Sequence, residues 1–318
     1  MKLVRGLHNL RPQHRGCVAT IGNFDGIHRG HQAILARLRE RAVDLGVPSC
    51  VVIFEQHPRE FFAPETAPAR LDRLWDKLQM LDEEGVDRVL CLSFNQLLQS
   101  MSATEFVERI LIDGLGVQHV EVGDDFHFGC DRAGDLDFLQ HAGVTRGFTV
   151  EAAQTVELDG LRVSSTHVRK ALAAADFALA ERLLGRPFGI TGRVLHGQKL
   201  ARQFGTPTAN VQLKRHRVPL TGVYLVSVDI DGQSWLGVAN IGVRPTVSGG
   251  REDHLEVHIL DFTGYLYNRR LTVVFHQKLR EEQSFSSLEA LKKAINADVA
   301  AARALATPSP HCPSKSLK

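Results

Sequence analysis

The sequence predicts an α/β domain built on a parallel sheet, followed by a small antiparallel β-barrel that ends in a helix. Three observations predict it. Short, near-continuously apolar segments alternate with helical patterns through the first half, as strands covered on both faces by helices require. After Gly185-Arg186-Pro187 the strand-like segments follow one another without intervening helices, which is the pattern of a small barrel. The chain has 318 residues, enough for about two domains at roughly 100–200 residues each. The expected division is 1–186, 187–306 and a tail, 307–318, whose Pro, Ser and Lys content reads as disorder.

In the first half, Cys17 to Gly22 reads as a buried strand ending in a Gly-rich turn, and His31 to Leu45 as a helix with Leu35, Leu38, Ala42 and Leu45 at helical spacing. Ser49 to Phe54 is a second strand, Leu71 to Glu84 a helix, Arg88 to Ser93 a strand, Ala103 to Leu111 a helix, and His119 to Val122 and Phe148 to Ala152 further strands. In the second half the strands are Ile190 to Leu195, Gly222 to Asp229, Ser234 to Asn240, Leu255 to Leu260 and Leu271 to His276. Asp231-Gly232 is a two-residue hairpin signal. A helix from Ser287 to Leu305 follows, with Leu288, Leu291, Ile295 and Val299 as its apolar stripe.

Composition removes several classes of function. Apolar residues make up 43% and charged residues 23%, and 38 basic against 36 acidic residues leave a net charge of +2. Nothing global favours nucleic acid or a membrane surface, and the basic run Lys214 to Arg217 reads as a solvated loop. Five scattered cysteines with no CxxC pair argue against a zinc site or a disulfide framework. Met1 to His14 lacks the apolar core of a signal peptide, and no apolar run is long enough to span a bilayer. The expected location is the cytoplasm. Small molecules are the expected partners, and the expected state is a monomer or weak homo-oligomer.

The first chemistry-bearing segment is Gly22-Asn23-Phe24-Asp25-Gly26-Ile27-His28-Arg29-Gly30-His31. It follows a strand and opens a helix, where free N–H groups and the positive end of the helix dipole receive phosphate. Its glycines allow close approach of the backbone, and two histidines three apart can donate to phosphate oxygens. It is neither a Walker A loop nor a dinucleotide fingerprint. Far downstream, Ser164-Ser165-Thr166-His167-Val168-Arg169 precedes a helical stretch, Lys170 to Leu184. Its hydroxyls suit an N-cap, and with Arg169 they also suit a clamp on a triphosphate.

The second segment runs from Gly192 to Asn210 and follows the first barrel strand. Its Gly-rich start can cover phosphates. Thr208 and Asn210 offer hard oxygen ligands two residues apart, which suit Mg²⁺. Period-two alternation puts Glu256 and His258 on one face of a strand and Leu255, Val257 and Ile259 on the other. Glu256 is therefore either a solvent-facing strand residue or a general base at the mouth of the barrel.

These segments together carry a resemblance. GNFDGIHRGH with SSTHVR resembles the HxGH nucleotidyltransferase superfamily. More specifically, it resembles the adenylyltransferase module of the bacterial bifunctional riboflavin kinase/FMN adenylyltransferase (FAD synthetase) family. Phe54-Glu55-Gln56-His57-Pro58 is similar to a Phe-x-Pro-His-Pro run, with Gln56 where Pro is usual. Val122-Gly123-Asp124-Asp125-Phe126-His127-Phe128-Gly129 is similar to VGxDFRFG, with His127 where the Arg fork is usual. Residues 192–210 resemble GxVxxGxxxGRxxGFPTAN of the riboflavin-kinase module, with Ala201 in place of Gly and Thr206 in place of Phe. Gly237 to Thr246, Leu255 to Phe262 and Lys278 to Phe285 resemble the family's later segments, in order.

The resemblance implies a Rossmann-like adenylyltransferase domain and a barrel kinase domain, with ATP and Mg²⁺ needed and riboflavin, FMN and FAD as substrates or products. It implies that His28 and His31 act on the ATP phosphates, within a site formed by Gly22, Phe24, Asp25, Gly26, Gly30, Ser164, Ser165, Thr166 and Arg169. His57, Asp125 and Phe126 would meet the flavin there. In the kinase, Gly192, Gly197, Lys199, Arg202 and Pro207 would hold ATP, and Arg280, Glu282 and Phe285 the flavin. Thr208 and Asn210 would hold Mg²⁺, and Glu256 would act as base. Rival readings are another HxGH adenylyltransferase, a class I tRNA synthetase relative, a chain with one active domain, and a flavin-binding protein without catalysis. The PTAN barrel argues against the first two.

Overall fold

A computed structural model of the chain describes residues 1–130, 132–196, 206–215, 217–245 and 251–306. The chain forms two compact units, Met1–Val168 with Leu183–Gly185, and Arg169–Arg182 with Arg186 onward.

The first unit contains β1 (Lys2–Arg5), β2 (Cys17–Ile21), α1 (Arg29–Leu45), β3 (Ser49–Phe54), α2 (Pro58–Phe62), α3 (Leu74–Glu83), β4 (Arg88–Leu92), α4 (Gln96–Ser100), α5 (Ala103–Phe106) running on as a π-helix (Val107–Leu115), β5 (Val117–Val122), α6 (Leu136–Arg146), β6 (Thr149–Ala152), a small hairpin of β7 (Glu157–Leu158) and β8 (Leu161–Arg162), and the start of α7 (Ser165–Ala173). The six strands β1 to β6 form one sheet in the order β1-β4-β3-β2-β5-β6. Every pairing in it is parallel. Alternate residues explain why the strands look uniformly apolar. Val18, Val51, Ile53 and Val89 pack under α1 and α3 against Leu35, Leu38, Leu78 and Leu81. Ala19, Ile21, Val52 and Leu90 pack the other way, against Phe106, Ile110 and Leu111. Both faces are covered, so no polar residue is needed at period two.

The strand order places the site. From β2 the chain builds outward through β3 and β4, then returns to the other side of β2 with β5 and β6. The switch point lies at the carboxyl ends of β2 and β5, where open parallel sheets receive ligands. Residues 22–28 leave β2 there, and residues 123–129 leave β5 there.

The second unit is a closed barrel of β9 (Gly189–Leu195), β10 (Ala209–Val211), β11 (Gly222–Ile230), β12 (Gln233–Pro245), β13 (Arg251–Ile259) and β14 (Arg270–Arg280), in the order β10-β13-β12-β11-β14-β9. α8 (Phe177–Leu184) sets Phe177 against Tyr224 and Phe275. α9 (Leu288–Ala306) lays Val299 and Ala302 on Val223, Leu225 and Val238. Asp231 and Gly232 take φ of 54° and 81° and join β11 to β12 as a two-residue turn.

Several expectations are corrected. The helical stretch Lys170 to Leu184 is two helices, broken where Ala175 takes φ of 57°. In the basic run, Arg215 is 6% exposed rather than solvated. On α9, Leu288 is exposed and the buried polar residue is Asp298, so the apolar stripe is shifted toward the C-terminal turns. β1, β10 and α6 carry no signal strong enough to be read from sequence: β1 is a four-residue edge strand, β10 has three residues, and α6 has polar and apolar residues on all sides.

Candidate active sites

In the first unit, His28 is the N-cap of α1. Its Nδ1 accepts from the backbone N–H of His31 at 3.3 Å. The two imidazoles stack with centroids 3.7 Å apart, and the Phe24 ring lies 4.7 Å from that of His31. Burial, then the charges of His28 and Lys77, hold the His31 imidazole well below its ordinary range. Its Nδ1 is buried and has no hydrogen-bond partner among the described residues, an atom that a ligand or water would satisfy.

The loop before this pair is tightly wound. Phe24, Gly26 and Ile27 take φ of 46°, 88° and 32°, and a Cβ on Gly26 would lie 2.6 Å from Leu71 Cδ1. Asp25 turns inward, where its carboxylate accepts from the N–H groups of Leu71 and Asp72 at 3.1 Å each. Asp72 accepts in turn from Gly26 N–H at 2.8 Å. Asp25 therefore shapes the loop. Ser165 donates to the Asp25 carbonyl at 2.8 Å, and Ser164 Oγ accepts from His167 N–H as a helix cap. The structure thus brings residues 22–31 and 164–165 together. Thr166 is exposed, and Arg169 opens the segment grouped with the barrel.

On the neighbouring strand end, Asp125 is exposed and Phe126 stacks on Phe128 at 5.4 Å. Arg162 of β8 reaches Asp124 at 2.7 Å and Asp125 at 3.5 Å. This ties the hairpin before the SSTHVR segment to the VGDDFHFG loop. His127 is exposed and meets the Asp125 carbonyl through Nδ1 at 3.0 Å. His57 caps α2, accepting from Arg59 N–H at 3.1 Å.

In the barrel, β10 pairs with β13 so that Asn210 stands opposite Glu256. β12 pairs with the other side of β13 so that Asn240 also stands opposite Glu256. A carboxylate is thus flanked by two amides across three strands, at cross-strand distances where side chains interact. Glu256 is partly exposed, while Leu255, Val257 and Ile259 are buried, as the alternation predicts. His258 donates from Nδ1 to the Pro207 carbonyl at 2.9 Å, which fastens the PTAN turn to the Glu256 strand. Gly192 is where β9 meets residues 211–212: a Cβ there would collide with Val211 and the Gln212 carbonyl.

Arg280 forms a two-pronged pair with Asp298 of α9 at 2.9 and 2.8 Å, and its guanidinium lies 5.6 Å from the Phe285 ring. The Glu282 carboxylate fills the space a side chain on Gly242 would need. Gly197, Lys199, Ala201 and Arg202 lie outside the described residues. Sequence reading passed over Arg162, Asp72, Lys77, Asn240 and Asp298. Only Asn240 had a signal, its place in the GVANIGVRPT segment.

Comparison with known proteins bears on both units. A family model described as FAD synthetase matches residues 10–167, and one described as riboflavin kinase matches residues 184–306. The chain is 83% identical to the bifunctional riboflavin kinase/FMN adenylyltransferase of Pseudomonas fluorescens, over 98% of this chain and 100% of that one. It is 51% identical to the protein of the same description from Escherichia coli K12, over 95% of this chain and 97% of that one. A solved structure described as a macrolide-efflux protein from Streptococcus pneumoniae is 28% identical, with a TM-score of 0.77 over 95% of this chain and 99% of that one. No helix among the described residues is long and apolar enough to cross a membrane. Both halves carry matching assignments in the same order along the chain, and the protein belongs to the bifunctional riboflavin kinase/FMN adenylyltransferase family.

Proposed function

We propose that the C-terminal unit transfers the γ-phosphoryl group of ATP to the 5′-hydroxyl of riboflavin, giving FMN and ADP. The N-terminal unit then joins FMN to the adenylyl group of a second ATP, giving FAD and pyrophosphate. The observation that carries the reading is the register that sets Asn210 and Asn240 on either side of Glu256. Glu256 takes the proton of the ribityl hydroxyl as general base. Thr208 and Asn210 hold Mg²⁺. Their hard oxygens fit that ion, which binds few protein ligands and completes its shell with phosphate and water. When bound, Mg²⁺ neutralises charge on the transferred phosphate. Gly192, Gly197, Lys199, Arg202 and Pro207 bind that ATP, and Arg280, Glu282 and Phe285 the flavin.

In the N-terminal unit, His28 and His31 donate to the ATP phosphates as charge shifts to the leaving pyrophosphate. The orphaned Nδ1 of His31 at the switch point supports this role. Gly22, Phe24, Gly26 and Gly30 let the loop approach the nucleotide, Asp25 holds the loop's shape, and Ser164, Ser165 and Thr166 bind the triphosphate. His57, Asp125 and Phe126 face the flavin. The FMN phosphate is itself the nucleophile, so no covalent enzyme intermediate is required. The protein acts in this reading on small molecules in the cytoplasm, as a monomer or weak homo-oligomer. Incubation with FMN, ATP and Mg²⁺ tests the second step: FAD and pyrophosphate should appear in equal amounts, and FAD without pyrophosphate would contradict the chemistry.

A further inference from the structure

The loop proposed to receive a triphosphate has acid built into it. Asp25 and Asp72 are 6% and 8% exposed, and both are spent fastening the loop to the segment before α3. Two buried carboxylates are poorly screened, and they oppose the binding of an anion beside them. On α3, Lys77 is also 8% exposed, and its ammonium donates to the Asn23 carbonyl at 2.5 Å. Burial pushes the Lys77 amine down, while Asp25 and Asp72 pull it back up. Of the neighbouring cations, Arg70 pairs with Glu60 and also feels the charge of Asp25, and Arg73 pairs with Asp76 at 2.7 and 2.8 Å. The Lys77 charge also helps to lower the His31 imidazole.

We propose that Lys77 is a positioning residue of the adenylylation site: its buried ammonium offsets Asp25 and Asp72 and pins the Asn23 carbonyl, so that the loop accepts the ATP triphosphate. The inference rests on the adenylyltransferase reading above. Removing the charge weakens ATP binding in ground and transition states alike, so KM for ATP rises while kcat is largely kept.

The test is K77M, with ATP-dependent conversion of FMN to FAD measured against riboflavin phosphorylation by the same chain. KM for ATP in the FAD-forming step should rise about tenfold or more, with kcat within about threefold, and riboflavin phosphorylation should be unchanged. The double variant D72N/K77M separates charge balance from a mere structural tie. The amide oxygen in D72N still accepts from Gly26 N–H while one negative charge is gone, so KM should return most of the way to the wild-type value. If K77M leaves KM for ATP unchanged, or if D72N fails to restore it, the inference falls. Should K77M fail to fold, the charge-balanced double variant is still expected to fold and turn over, and an inactive double variant overturns the proposal. Failure of the wild type to make FAD would overturn the underlying reading instead, before any variant is compared.

Discussion

The rings of His28 and His31 stack with centroids 3.7 Å apart and planes 15° apart, and His31 N–H donates to His28 Nδ1. Two imidazolium ions at that spacing would repel, so the pair holds at most one charge. With Nδ1 an acceptor, neutral His28 carries its proton on Nε2. H28A is expected to lower FAD formation by about 10² or more and to leave riboflavin phosphorylation unchanged. Loss of the cap costs about 1 kcal/mol of stability. FAD formation within threefold of wild type would show that the pair is structural.

The barrel makes the converse prediction. E256Q keeps the size of the side chain and removes the base. Riboflavin phosphorylation should fall by about 10²–10⁴, with conversion of FMN to FAD preserved. A chain that still phosphorylates riboflavin would point to another base on the same row of strands.

Glu121 on β5 is 2% exposed, and burial pushes its carboxyl up to about 7. Arg37 reaches it at 3.3 Å, yet Glu121 Oε1 accepts no hydrogen bond among the described residues, and Glu151 and Glu40 add negative charge nearby. A raised carboxyl favours the fold below its unfolded value near 4.5, and that benefit is lost as pH rises through about 7. E121Q should therefore be the more stable chain at pH 8, by roughly 1–2 kcal/mol, and the advantage should vanish near pH 5. Hydrogen exchange of β5 in both chains at the two pH values reads this directly. Faster exchange in E121Q at pH 8 would contradict it.

Gly26 takes φ of 88° with Leu71 Cδ1 at 2.6 Å from where a Cβ would stand. G26A combines a left-handed penalty of about 1–2 kcal/mol with overpacking of about 1–3 kcal/mol. FAD formation should fall sharply while riboflavin phosphorylation persists. Equal loss of both activities would mean that the loop supports the whole chain.

Much of this was legible in the sequence because the signals were local. Ser49 to Phe54 is a strand to the residue, since its apolar run is continuous and bounded. The alternation at Glu256 holds because a barrel strand buries every second residue. What escaped was set by distant partners. Lys77 looks like an ordinary polar residue of an amphipathic helix until the fold sets it against the Asn23 carbonyl, 54 residues away. Asp298 is buried because Arg280, 18 residues earlier, reaches it from β14. Asp25 lies in a motif that suggests ligand contact, yet its carboxylate is occupied by backbone N–H groups of residues 71 and 72. The first two partners lie outside any local sequence window, and motif spacing cannot tell a side chain that meets a ligand from one that braces the loop.

The most direct measurement is a time course of the purified protein with riboflavin, ATP and Mg²⁺, with flavins separated by chromatography. FMN should appear first and FAD after it, with FAD formation strongly slowed in H28A and formation of both products strongly slowed in E256Q. Riboflavin left unconverted by folded wild-type protein, or FMN accumulating with no FAD, would contradict the account of two working sites on one chain.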